Sequence, residues 1–131
     1  FYGMFDPAQA SMRYARAGHD HPLLVRSGSA ECRSLTAHGM ALGFVEDVSL
    51  EEDDVELSAG DRLVLYTDGI THAESVTGEF FGSDRLRRTV CTPEPLSAQA
   101  LCDLIFERVS TFQAGAPQFD DMAVLLLTMS A

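Results

Sequence analysis

The most constraining feature of the sequence is a pair of short, nearly continuous apolar segments, each bordered by aspartate. The first segment, residues 62–67, runs directly into Asp68-Gly69, and the second, residues 122–129, directly follows Asp120-Asp121. Nearly continuous apolar character is typical of a strand that is covered on both faces, whereas a strand with one solvated face alternates. Both segments are therefore predicted to be buried strands of a sheet that lies between other layers.

The rest of the chain predicts a sheet-rich first half followed by two helices. Runs at 1–5, 11–17, 23–26 and 31–35, separated by turn residues, predict an antiparallel meander. Residues 55–57 predict one more short strand. Ser83 is the predicted N-cap of a first helix, which ends at Val90. Ser97 is the predicted N-cap of a second helix, which has an apolar stripe over residues 101–112. This order predicts the α+β class, with helices on at least one sheet face.

The charge balance excludes several function classes. Twenty acidic residues stand against nine basic ones, all of them arginine, and the net charge is −11. Binding to a nucleic-acid backbone requires clustered cations, so neither nucleic acid nor an anionic membrane surface is an expected partner. The apolar run at residues 124–127, even with Met122 and Ala123 added, is too short to span a bilayer, so no membrane insertion is expected. This composition favours a soluble cytoplasmic protein or one that holds metal cations.

The three cysteines lack the Cys-x-x-Cys spacing of a zinc site. Their odd number also argues against a disulfide framework. They are predicted to be reduced, partly buried thiols.

The aspartates beside the two apolar segments are the strongest candidates for chemistry. Taken alone, Asp68-Gly69 is most often a turn and Asp120-Asp121 a solvated strand end. If the two strands are neighbours, however, hard oxygen ligands would lie side by side at one end of a sheet, which is the arrangement that Mg²⁺ or Mn²⁺ prefers. Both interpretations remain open on spacing alone.

His19 and His21 form a second, weaker candidate site. A His-x-His pair can bind zinc or iron, but no third ligand follows at a suitable spacing. The alternative, loop histidines that bond to backbone or solvent, is favoured. Because the chain contains no lysine, Schiff-base chemistry is excluded.

Five segments in a fixed order resemble the motifs of one known family. They are Tyr-Ala-Arg-Ala-Gly-His with Pro-Leu-Leu at 14–24, Met-Ala-Leu-Gly at 40–43, Gly-Asp-Arg-Leu-Val-Leu-Tyr-Thr-Asp-Gly-Ile-Thr at 60–71, Phe-Gly with Arg-Leu at 81–86, and Phe-Asp-Asp-Met-Ala-Val at 119–124. This set is similar to the SpoIIE-like (stage II sporulation protein E) branch of the bacterial PP2C-type, metal-dependent serine/threonine phosphatases. The resemblance covers essentially the whole chain.

The resemblance implies a PP2C-like four-layer α-β-β-α sandwich with two antiparallel sheets and an active site at one end of them. Two Mn²⁺ or Mg²⁺ ions there hold a water that attacks a phosphoserine or phosphothreonine without a phosphoenzyme. Asp68 and Asp120 match metal ligands, Asp121 and Gly69 match residues that support them, and no catalytic side chain is implied beyond the metal-bound water. His19 matches a family position without an assigned role. Typical substrates are phosphorylated STAS-domain anti-anti-sigma factors.

The chain also departs from the family pattern. It lacks the family's Gly-Asp-x-x-Asp strand, which supplies the aspartate that bridges both metals, and the Gly-Lys-Gly segment that follows it. Residues 1–131 are therefore predicted to be the C-terminal portion of one phosphatase domain, with a sensor or regulatory domain upstream, and inactive alone. The alternative is a pseudophosphatase that binds a phosphoprotein without cleaving it. Ala123 replaces the usual threonine, and His72 replaces an acidic residue.

Overall fold

The computed structural model describes residues 1–92, 94 and 96–130. Pro93 and Pro95, which the sequence predicts as breaks between the two helices, lie outside the described part. Within it, seven strands and three helices follow one another in the order β1 Tyr2–Asp6, β2 Ser11–Ala15, β3 Leu23–Val25, β4 Cys32–Ser34, β5 Glu52–Glu56, β6 Arg62–Tyr66, α1 Asp68–Thr71, α2 Gly82–Val90, α3 Ala98–Gln113 and β7 Val124–Thr128.

The strands form two antiparallel sheets, and this corrects the predicted meander. The first sheet has the order β1-β2-β5 and the second has the order β4-β3-β6-β7. The first four strands therefore do not lie in one sheet, because β2 pairs with β5 and not with β3. Between β2 and β3, Gly18 turns with φ of 78° and donates its backbone N–H to the carbonyl of Gly39, so the chain leaves the first sheet here.

Strand β6 is covered on both faces, as its apolar sequence predicts. Leu63 points toward the first sheet and belongs to a buried cluster with Met12. Val64 and Tyr66 point the other way and pack in a second cluster with helical residues such as Ile105. Because successive side chains of a strand alternate between faces, β6 contributes to both cores of the molecule.

Strand β7 is only half covered, and its predicted burial is wrong on one face. Leu125 and Leu127 are 56% and 47% exposed. They lie opposite Leu65 and Leu63 of β6 and therefore face the side of the first sheet. The described strands of the first sheet do not extend over these two leucines, so both leucine side chains are exposed to solvent.

The N-cap prediction is confirmed for α3 and wrong for α2. The hydroxyl oxygen of Ser97 accepts the backbone N–H of Ala100 at 3.1 Å. Helix α2 instead begins at Gly82, with Phe81 at the N-cap and no side-chain capping bond. Ser83 lies inside the helix. Phe81 itself is buried in the core against which α2 packs.

The helices lie against the second sheet on the face opposite the first sheet. The buried residues Leu86, Leu101, Ile105 and Val109 of α2 and α3 share one cluster with Val64 of β6. The described residues thus form the first sheet, the second sheet and one helical layer. This is the α+β class, and these are three of the four layers of the PP2C-like α-β-β-α sandwich that the resemblance implies. No helix in the described part of the chain is both long and apolar enough to cross a membrane.

Candidate metal centre

The antiparallel pairing of β6 and β7 brings the predicted metal ligands to the same end of the second sheet. Tyr66, the last residue of β6, lies opposite Val124, the first residue of β7. Asp68 therefore follows one strand exactly where Asp120 and Asp121 lead into the other. The sequence-based prediction of a metal site required these two strands to be neighbours, and they are.

Thr67 connects the two loops. Its backbone N–H donates to the carbonyl of Ala123 at 3.0 Å, and its hydroxyl oxygen accepts the N–H of Ala123 at 2.9 Å. The same hydroxyl donates to the carbonyl of Asp121 at 3.0 Å. The sequence reasoning overlooked Thr67, although a hydroxyl between an apolar strand and an aspartate was a visible signal for a residue that bonds to a neighbouring loop.

Gly69 allows the two loops to lie in direct contact. It is buried, and a Cβ atom at this position would come within 3.0 Å of the carbonyl carbon of Asp121 and still closer to the carbonyl oxygen. Any residue with a side chain would push Asp121 and the adjacent Asp120 away. The close approach explains on steric grounds why glycine follows Asp68.

The carboxylate of Asp68 is open to solvent at the start of α1. Its side chain is 57% exposed, and one carboxylate oxygen lies 3.9 Å from Nδ1 of His72 one helical turn later. The backbone carbonyl of Asp68 accepts the N–H of His72 at 2.7 Å and the hydroxyl of Thr71 at 3.2 Å. The backbone is thus held by the short helix, while the carboxylate remains available to a ligand.

Asp120 and Asp121 differ in how they are held. Oδ1 of Asp120 accepts the backbone N–H of Asp121 at 2.7 Å, and the Asp120 carbonyl accepts the Gln118 side-chain amide at 2.8 Å. Asp121 contacts the site through its backbone carbonyl, which faces Thr67 and Gly69. This geometry suits Asp120 as a ligand and Asp121 as its neighbour in the supporting loop.

A cavity of about 280 Å³ opens beside these residues. Its lining includes Gly69, His72, Phe80, Phe119 and Asp120. Both phenylalanines are exposed, and the ring centroids of His72 and Phe80 are 5.5 Å apart. Sequence reasoning did not assign these aromatic residues to the site, because they lie in loops whose position depends on the tertiary fold.

The donor chemistry fits a divalent metal only in part. Carboxylate oxygens are the preferred ligands of Mg²⁺ and Mn²⁺, and Asp68 and Asp120 offer them at one sheet end. Among residues 1–92, 94 and 96–130, no group of three or more His, Cys, Asp or Glu side chains could hold a metal ion. Asp68 and Asp120 therefore fit as part of a ligand set that needs further donors.

His19 and His21 belong to no group of three or more His, Cys, Asp or Glu side chains that could hold a metal among the described residues. Nδ1 of His19 lies 2.7 Å from the carbonyl oxygen of Asp20, to which its N–H donates. Burial and the nearby Arg16 guanidinium lower the pKa of His21. The interpretation of His19 as a loop histidine that bonds to backbone is confirmed.

Comparison with known proteins agrees with this architecture. Residues 1–130 match the family model of stage II sporulation protein E (SpoIIE). The chain is 31% identical over 125 residues to Protein IcfG of Synechocystis, covering 95% of this chain and 19% of that protein. It is 26% identical over 127 residues to the phosphoserine phosphatase RsbU of Bacillus subtilis, covering 97% of this chain and 37% of that protein. The chain thus spans well under half the length of these relatives.

A solved structure shows the same fold. The manganese-presoaked phosphatase domain of SpoIIE from Bacillus subtilis superposes with a TM-score of 0.73 at 20% identity, covering 98% of this chain and 55% of that one. The sheets and helices of this chain therefore have the arrangement of a large part of a PP2C-type domain. The chain belongs to the stage II sporulation protein E family and has the fold of its PP2C-type phosphatase domain.

Proposed function

We propose that the protein containing this chain is a metal-dependent phosphatase of phosphoserine or phosphothreonine proteins, with Asp68 and Asp120 as metal ligands. One observation carries the proposal. Thr67 and Gly69 lock the loops after β6 and before β7 together, so that two exposed carboxylates flank one end of a sheet. The reaction class is inferred from family membership, and the metal-binding residues are inferred from the geometry of the site.

The residues of this chain have distinct tasks in that reaction. Asp68 and Asp120 hold Mn²⁺ or Mg²⁺, while Asp121 and Gly69 keep the two ligand loops in contact. When bound, such an ion supplies Lewis-acid chemistry, which neutralises phosphoryl charge and favours attack by water. No side chain of this chain is required as the attacking group. The remaining ligands of a two-metal site come from other parts of the protein.

We propose a phosphorylated STAS-domain anti-anti-sigma factor as the substrate and a sensor or regulatory domain as the upstream partner. The similarity to RsbU supports phosphoserine in a protein as the bond cleaved. The relatives extend far beyond the matched region, which leaves room for regulatory domains. The acidic chain, with net charge −11, suits a cytoplasmic protein with protein partners and not nucleic-acid partners.

The first prediction tests the metal ligands in the complete natural protein. Asp68→Asn and Asp120→Asn should each lower Mn²⁺-dependent kcat/KM on a phosphorylated STAS protein by about a hundredfold or more, since metal catalysis contributes several kcal/mol. Mn²⁺ affinity, measured by electron paramagnetic resonance, should fall in parallel. Glu107→Gln, which removes an exposed carboxylate of α3, is the matched control and should leave both quantities unchanged.

Retained activity and Mn²⁺ affinity in both variants would contradict the assigned ligands. The second candidate function is a pseudophosphatase, because residues 1–131 do not contain the Gly-Asp-x-x-Asp and Gly-Lys-Gly segments that the resemblance leads one to expect. If the unaltered protein binds the phosphorylated STAS protein but does not hydrolyse it at saturating Mn²⁺, that second function replaces the first. Hydrolysis by the unaltered protein excludes it.

A further inference from the structure

A groove between α2 and α3 forms a second candidate binding site. It has a volume of about 490 Å³ and is lined in part by Arg85, Arg88 and Arg108. Phe81, Leu104 and Phe112 add an apolar surface to its lining. The groove shares no lining residue with the cavity beside Asp120. It is therefore a site that the proposed phosphatase reaction does not use.

The groove concentrates positive charge in a strongly acidic protein. Only nine basic residues stand against twenty acidic ones in the whole chain, yet three of the nine line this groove. The described lining residues include no aspartate or glutamate. A local cationic surface of this kind attracts an anionic ligand at short range, while the net charge of −11 opposes long anionic polymers.

Arg85 is held in position by the protein itself. Its guanidinium carbon lies 4.5 Å from the centroid of the Phe112 ring. The same group donates to the backbone carbonyls of Phe80 and Phe81 at 3.0 and 3.1 Å. Nη2 of Arg85 also lies 3.9 Å from a carboxylate oxygen of Glu79, so this guanidinium already has an ion-pair partner and is not assigned to a ligand.

Arg88 and Arg108 are more available. Both are exposed, and neither belongs to an ion pair within the described part of the chain, whereas Arg13 pairs with Asp54 and Arg26 with Asp61. Nε of Arg88 donates only to the backbone carbonyl of Asp84, at 3.3 Å. Two guanidinium groups on facing helices are thus free to bind carboxylates that a ligand supplies.

We propose that the α2–α3 groove binds an acidic, partly apolar peptide segment of a partner protein. Carboxylates of that segment pair with Arg88 and Arg108, and an apolar side chain packs against Leu104 and Phe112. The open groove between two helices suits a peptide, because an amphipathic segment places apolar and charged side chains at matching spacings. The proposal is independent of the phosphatase assignment.

The test uses a fluorescein-labelled amphipathic peptide of glutamate and leucine, titrated by fluorescence anisotropy into the complete natural protein. The double variant Arg88→Gln/Arg108→Gln should bind about tenfold more weakly, which corresponds to about 1.4 kcal/mol for the loss of two exposed charge pairs. The double variant Arg13→Gln/Arg33→Gln changes the net charge equally at exposed arginines outside the groove and should bind like the unaltered protein. Raising the salt concentration from about 0.05 M to about 0.5 M should weaken binding.

Four results would overturn the proposal. The first is absence of peptide binding by the unaltered protein, and the second is an equal loss of affinity in the two double variants. The third is binding of RNA or of phosphatidylserine vesicles through Arg88 and Arg108 in preference to the peptide. A matching peptide in which lysine replaces glutamate should not bind, and its binding with equal affinity would also contradict the assigned ligand class.

Discussion

Asp61 shows at the residue scale how one buried charge holds several loops together. Its carboxylate is 2% exposed and lies 2.6 Å from a guanidinium nitrogen of Arg26. It also accepts the backbone N–H groups of Ser27 at 2.9 Å and of Ser58 at 2.8 Å. Burial by itself raises the pKa of Asp61, but these donors and the Arg26 charge outweigh it and lower the pKa below its ordinary value of 3.8.

We expect Asp61→Asn to destabilise the protein by about 2 kcal/mol or more, because charge-assisted hydrogen bonds of a buried group are lost. The matched control is Asp54→Asn, which also removes a carboxylate paired with an arginine. Asp54 is 60% exposed, so its loss should cost about 1 kcal/mol or less. Urea unfolding of both variants at neutral pH measures the difference.

The same Asp61 variant has a defined pH dependence. A carboxyl whose folded pKa is lowered contributes stability that is present above its unfolded pKa, near 4, and is lost as pH falls through the folded pKa. The difference in free energy of unfolding between the unaltered protein and Asp61→Asn should therefore become smaller below about pH 4. A difference in free energy of unfolding that stays constant or increases as the pH falls would contradict the role of the ionised carboxylate.

At the scale of elements, the two serines predicted as N-caps behave differently. Ser97 accepts the N–H of Ala100 at the start of α3, while Ser83 lies inside α2 and makes no capping bond. Ser97→Ala should therefore lower the free energy of unfolding by about 1 kcal/mol. Ser83→Ala, the matched control, should change it by less than about 0.5 kcal/mol. Equal effects in urea unfolding would show that the α3 cap is not stabilising.

At the scale of the whole molecule, the uncovered face of β7 indicates where further structure belongs. Leu125 and Leu127 are exposed on the side of the first sheet, and Phe5 on the edge strand β1 is also exposed. The chain covers 55% of the SpoIIE phosphatase domain that it superposes on. We propose that residues 1–131 are the C-terminal portion of one domain and that another segment of the protein covers this face.

This proposal predicts opposite effects in two preparations. Leu125→Gln/Leu127→Gln should destabilise the complete natural protein by about 2 kcal/mol or more, since buried leucines would be lost. In the isolated 131-residue chain the same change should reduce self-association, measured by light scattering, because it removes an exposed apolar patch. Val76→Gln, at an exposed loop position, is the control. Unchanged stability of the complete protein would contradict the covered face.

The candidate site was only partly visible in the sequence. Asp68 and Asp120 could be selected because carboxylates at the ends of apolar strands are chemically unusual, and the loop contact of Gly69 agrees with its predicted position. Phe119 and Arg85 lie within the matched motifs, but the sequence assigned neither Phe119 nor the arginines of the α2–α3 groove to a site. Their positions depend on which loops and helices the fold brings together.

The sequence by itself determined the local elements: the alternating and apolar strands, the capped start of α3 at Ser97, and glycine where loops turn or touch. These features depend on residues a few positions apart, so short-range periodicity and capping suffice to predict them. Only the tertiary structure decided that β2 pairs with β5, that α2 begins at Gly82 and that one face of β7 is open. Such outcomes depend on packing between segments that are distant in the chain. Many strand and helix pairings are compatible with the same local sequence pattern, and the pairing that buries the whole core is the one that forms.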